Sequence, residues 1–73
     1  MNEAYENLAN AIVIQAVKDY RKALERMKNF SYSRTAVYIK REVEKFFRSD
    51  WYKTLTSVDA EFLIKKLNRE VLS

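Results

Sequence analysis

Phe46-Phe47-Arg48-Ser49-Asp50-Trp51-Tyr52 carries four of the chain's ten aromatic residues, including its only tryptophan. A chain of 73 residues buries only about 60% of its unfolded surface, so large apolar groups this dense read as core. Helical spacing makes the stretch a corner. Ala36, Ile39, Val43, Phe46 and Phe47 fall on one arc at steps of about 100°. Continuing that helix would swing Asp50 into the apolar arc and Trp51 out of it. The register therefore breaks near Ser49, a good cap for a new helix. Phe46 and Phe47 finish one helix, Trp51 and Tyr52 begin another direction, and all four are expected in a core hinge.

Outward from that corner, the chain has neither glycine nor proline. Both residues punctuate turns, and hairpins need residues that accept positive φ, so the composition predicts helices joined by short polar turns. An apolar half-cylinder runs through Tyr5, Leu8, Ala9, Ile12, Val13, Ala16, Val17, Tyr20, Ala23, Leu24 and Met27. It predicts a first helix over about 3–28. Ile14 lies outside that arc, and two readings stand for it: an isolated surface isoleucine, or a contact for a partner or a second copy. Asn29 can close the helix in the left-handed conformation. Ser33 can cap the next, with Tyr32 and Val37 as a hydrophobic staple and Ser31 as a competing cap.

The second helix is expected over about 34–48, a short helical turn over about 50–55, and a last helix over about 57–71. Thr56 caps that last helix, with Asp59 three residues on, and Ala60, Leu63, Ile64, Leu67 and Val71 form its core stripe. Phe62 lies off the stripe, either folded back over Trp51 or Tyr52 or exposed. The expected fold is all-α: one domain over 1–73, a compact bundle of three main helices with a short extra turn.

Composition excludes more functions than it suggests. There is no cysteine and no histidine, so disulfides, thiolate metal sites and the usual general base are absent. The acidic residues are scattered, and Glu42 and Glu44, two apart on a helix, diverge. There is no Gly-rich phosphate loop, and so small a bundle leaves little room for a pocket of several hundred Å³. The chain is predicted to be non-enzymatic, with no catalytic residue, metal or cofactor. No apolar run reaches the ~18 residues of a membrane span. Glu3 and Glu6 replace the basic start of a signal peptide, so a soluble, cytoplasmic protein is expected.

The charge pattern is more informative. From Lys18 to Arg48 ten basic residues stand against four acidic ones, while the rest of the chain has four basic and six acidic. On the second helix Arg34, Tyr38, Arg41, Lys45 and Arg48 recur at spacings of four, three, four and three. This basic row with an interleaved tyrosine is the candidate binding face, and Phe62, Lys66 and Arg69 are a secondary candidate surface. The row suits an acidic protein surface, a phosphate backbone, or plain solvation of a polar face. No base-reading set of Arg, Asn and Gln opens the last helix. Asp19, at the edge of the core arc, is expected to bond to Arg48 or the Trp51 indole.

Two segments carry a resemblance. The first is Asn7-Leu8-Ala9-Asn10-Ala11-Ile12-Val13 with Gln15-Ala16 and Lys18-Asp19-Tyr20-Arg21. The second is Phe46 to Tyr52 with Leu55-Thr56 and Asp59-Ala60-Glu61. Together they resemble short helical proteins of uncharacterised activity encoded by phages, prophages and integrative elements of Gram-positive bacteria. At Ala60 that group often has glycine, and this chain departs there. The resemblance implies a bacterial host and a mobile-element accessory role, and carries no mechanism. A module that binds and modulates a host or phage protein, such as a counter-defence inhibitor, is the leading expectation. A small nucleic-acid-binding regulator and a self-associating structural protein, including a homodimer, are the alternatives.

Overall fold

The computed structural model describes residues 3–30 and 33–72, and among them the chain forms four α-helices. They are α1 (Glu3–Asn29), α2 (Arg34–Phe47), α3 (Asp50–Leu55) and α4 (Ala60–Leu72). The all-α bundle expected from sequence is the observed fold. Glu3 and Glu6 in the first turn of α1, and Arg26 and Lys28 in its last, oppose the partial charges of the helix dipole. The Ser33 hydroxyl accepts the Ala36 N–H at 3.2 Å, capping α2.

Ser49 explains the register break. Its hydroxyl donates to the Phe46 carbonyl at 2.6 Å and accepts the Tyr52 N–H at 3.2 Å. One side chain thus closes α2 and opens α3, satisfying backbone groups that each helix end leaves unpaired. Arg48, expected as the last residue of the second helix, is instead its C-cap.

α1 is 27 residues long, about 40 Å at 1.5 Å per residue, and runs nearly the whole 44 Å length of the molecule. Ala23 and Arg26 on α1 sit beside Ala36 and Ile39, and Tyr20 sits beside Glu44, so α2 runs antiparallel to α1. Glu61 reaches Arg48 at the end of α2, while Asn68, two turns on, reaches Tyr20 beside Glu44. α4 therefore returns antiparallel to α2 and parallel to α1. The core gathers where all four helices meet: Tyr20, Leu24, Phe47, Tyr52, Ile64 and Leu67 are buried, with Val13, Val17, Val43, Phe46 and Leu63 packed around them. Its aromatic rings meet edge to face, Phe47 lying 5.7 Å from Tyr20 and 5.6 Å from Tyr52.

Several expectations need correction. Trp51 is 57% exposed. Its ring leans on the outer edge of Phe46 at 5.5 Å, so the hinge core is Phe47 and Tyr52 with Phe46 half-buried. Adjacent residues on a helix point about 100° apart, and Tyr52 takes the inward direction. Tyr5 and Leu8 are exposed, because α2 and α4 are about half as long as α1 and leave its first turns uncovered.

The last helix starts at Ala60 rather than 57, and its cap is Asp59, whose carboxylate accepts the Phe62 N–H at 2.8 Å. A carboxylate there also suits the positive helix end. Thr56 belongs to α3: its N–H donates to the Tyr52 carbonyl, and its hydroxyl accepts the Val58 N–H. Asn29 stays helical. No described residue has positive φ, and the Phe30 N–H closes the turn onto the Arg26 carbonyl at 2.7 Å. The staple through Tyr32 and the competing cap Ser31 lie outside the described residues.

Candidate binding face

An amphipathic α2 must point one side to water, and the side opposite its core arc carries the predicted row. Arg34, Tyr38, Arg41, Lys45 and Arg48 are all exposed, Tyr38 at 65%. The structure divides this row in two. In its second half, Lys45 pairs with Glu42 at 3.1 Å, while Arg48 makes a two-pronged contact to Glu61 at 2.7 and 3.2 Å and lies 3.9 Å from Glu44. In its first half, Arg34 and Arg41 have no ion-pair partner among the described residues, and Tyr38 between them makes only a 3.5 Å contact to Glu42. The positive field of the row is therefore concentrated at the α2 N-terminal end.

Beneath the row lies a polar hub that the sequence did not reveal. The Tyr20 hydroxyl donates to Glu44 at 2.6 Å and accepts from Asn68 at 2.9 Å, and Lys40 donates to the same Glu44 oxygen at 2.6 Å. This ties α1, α2 and α4 together. Burial, then the bond to Glu44, pushes the Tyr20 phenol well above its ordinary pKa. Burial opposes charge on Glu44 as well, yet the bonds from Lys40 and Tyr20 win and hold its carboxyl below the usual range. The Arg48 guanidinium likewise holds the Glu61 carboxyl down. The available signal was Tyr20 itself, since a tyrosine at the centre of a core arc needs a partner for its hydroxyl. Asp19 does not make the expected clamp; it accepts from Gln15 at 3.0 Å on the surface of α1.

The secondary surface is present as a face. Phe62 is 61% exposed, so it does not fold back over the corner. With Lys65, Lys66, Arg69 and Glu70 it lines an open groove of about 420 Å³ on α4. A second groove of about 460 Å³ follows the α3–α4 connection along Arg48, Tyr52, Asp59 and Glu61. Both are open surface grooves, not enclosed pockets of the kind that surround a small-molecule substrate.

Charge is segregated along the molecule. The end built from the first half of α1, α3, the α3–α4 connection and the Arg48–Glu61 pair holds two basic residues, Arg48 and Lys53, against Glu3, Glu6, Asp50, Asp59 and Glu61. The far end, from Lys18 to Arg41 and from Lys65 to Glu70, holds eleven basic and three acidic residues. Among the described residues, no three acidic side chains converge as a metal site, and no helix is long and apolar enough to cross a membrane. No protein family, no curated protein and no solved structure matches the chain.

Proposed function

We propose that this chain is a non-catalytic binding module that docks an acidic protein surface on the first half of α2, through Arg34, Tyr38 and Arg41. The observation that carries the reading is the split row. Two exposed guanidiniums without ion-pair partners among the described residues flank an exposed tyrosine, residue types enriched at the energetic centres of protein interfaces. Lys45 and Arg48 act at the rim, since their charges already face Glu42 and Glu61. Phe62, Lys66 and Arg69 form a second contact on α4. The setting is that of a mobile-element accessory protein in the cytoplasm of a bacterial host, modulating a host or phage protein. Its support is the resemblance of the two segments above.

A second reading is favoured by the charge segregation. Eleven basic residues gathered at one end could follow a nucleic-acid backbone, with affinity falling steeply as salt rises. One experiment separates the two. Affinity capture from a Gram-positive host lysate should recover one stoichiometric protein, and Arg34→Glu with Arg41→Glu should lower its recovery at least tenfold while Lys45→Ala changes it little. Recovery unaffected by the double reversal would refute the α2 face. Loss of the captured material on nuclease treatment would favour the nucleic-acid reading.

A further inference from the structure

The outward face of α1 is unlike that of the other long helices. From Asn7 to Val17 it carries no charge for eleven residues, yet Asn7, Asn10, Ala11, Ile14 and Gln15 are all exposed. Asn7, Ala11, Ile14 and Lys18 recur at spacings of four, three and four, the stripe along which one helix meets another. Ile14, 52% exposed, stands at its centre beside the small Ala11. Acidic Glu3 lies at one end of this stretch, and Lys18, Arg21 and Lys22 lie at the other.

We infer that this face is the contact for a second copy of the chain, with the two α1 helices crossing antiparallel. Setting Ile14 of one copy over Ala11 of the other seats a large side chain on a small one, as packed helices require. The same register sets Asn7 against Lys18, and Glu3 against Lys22, while Arg21 beside it is held by Glu70 of its own chain at 3.0 Å. Charge selects the direction: a parallel pairing would oppose Lys18 to Lys18 and Glu3 to Glu3, whereas the antiparallel one opposes unlike charges. Lys18 and Lys22 have no ion-pair partner among the described residues of their own chain, so they are available to the second copy. The contact is isologous and closes on itself as a dimer. A single helix pair buries less than a standard interface, so the dimer is weak and concentration-dependent. It lies on a different helix from the α2 row, and its failure would leave that proposal standing.

Sedimentation equilibrium from about 10 µM to about 1 mM, the span of micromolar to millimolar dissociation constants, tests the inference. The apparent mass should rise from that of an 8.7 kDa monomer towards twice that value, and Ile14→Glu should hold it at the monomer throughout. Because Ile14 is exposed, the helical circular dichroism of that variant should be unchanged. The chain lacks cysteine, so mixing Ala11→Cys with Ile14→Cys should give a disulfide-linked dimer faster than Lys28→Cys does alone. A monomer across the whole range would overturn the inference, as would a dimer indifferent to Ile14→Glu or faster linkage through Lys28→Cys.

Discussion

Phe47→Ala should destabilise the protein by about 3–5 kcal/mol, the range for truncating a large buried aromatic. Phe47 is fully buried, and its ring joins Tyr20 on α1, Phe46 on α2 and Tyr52 on α3. Small domains sit near the low end of the usual ~5–15 kcal/mol of stability. A domain of this size loses about 4–8 °C of Tm per kcal/mol, so the melting midpoint should fall by at least about 12 °C, or the chain should be unfolded at room temperature. Thermal unfolding followed at 222 nm measures this, and a midpoint within a few degrees of wild type would show that Phe47 is not the keystone of the corner. Tyr52→Phe should act in the opposite direction. The Tyr52 hydroxyl is buried with no hydrogen-bond partner among the described residues, and burial, with Asp59 nearby, pushes its pKa up. Removing an unsatisfied buried hydroxyl should raise stability by about 1 kcal/mol.

Glu44→Ala should cost about 1–3 kcal/mol, the usual loss when a buried polar group is left without its partner. The Glu44 side chain is only 17% exposed and accepts both the Tyr20 hydroxyl and the Lys40 ammonium. Tyr20→Phe should cost less, and the double substitution should cost less than the two single losses added together, because both remove the same bond. Additive losses would mean that the hub is not one network. The acid limb supplies an independent check. The folded-state pKa of Glu44 lies below its unfolded value, so its contribution to stability is complete above the ordinary glutamate range, about pH 4.3. That contribution disappears as the pH falls through the lowered folded value. Wild-type stability should therefore drop on acidification below about pH 4.3, and Glu44→Ala should show a smaller drop.

The residues that read correctly from sequence act locally. Absence of glycine and proline demanded helices, and Ser33 and Ser49 announced their caps because a cap acts within three residues. The misread positions depended on choices between neighbours or on distant partners. Trp51 and Tyr52 are adjacent, and only one could turn inward after the register reset. Thr56 and Asp59 were both suitable caps; the backbone bond from Thr56 to Tyr52 gave Thr56 to α3 and left α4 to Asp59. The Tyr20–Glu44–Asn68 hub joins residues 24 and 48 positions apart, a separation at which spacing rules carry no information. The α2 row was legible as a stripe. Its division was legible in part, because Glu42 and Glu44 flank the row within one turn; the closer partner of Arg48, Glu61 on another helix, was not.

That division is the central claim, and it can be tested without knowing the partner. Amide relaxation of the ¹⁵N-labelled protein, compared between an anionic and a neutral paramagnetic probe of the same size, maps local positive potential. The excess caused by the anionic probe should be greatest around Arg34, Tyr38 and Arg41 and the neighbouring Lys22 and Arg26. It should fall off towards Arg48 and vanish at Glu3 and Glu6. An excess spread evenly along α2, or greatest at Arg48, would contradict the account.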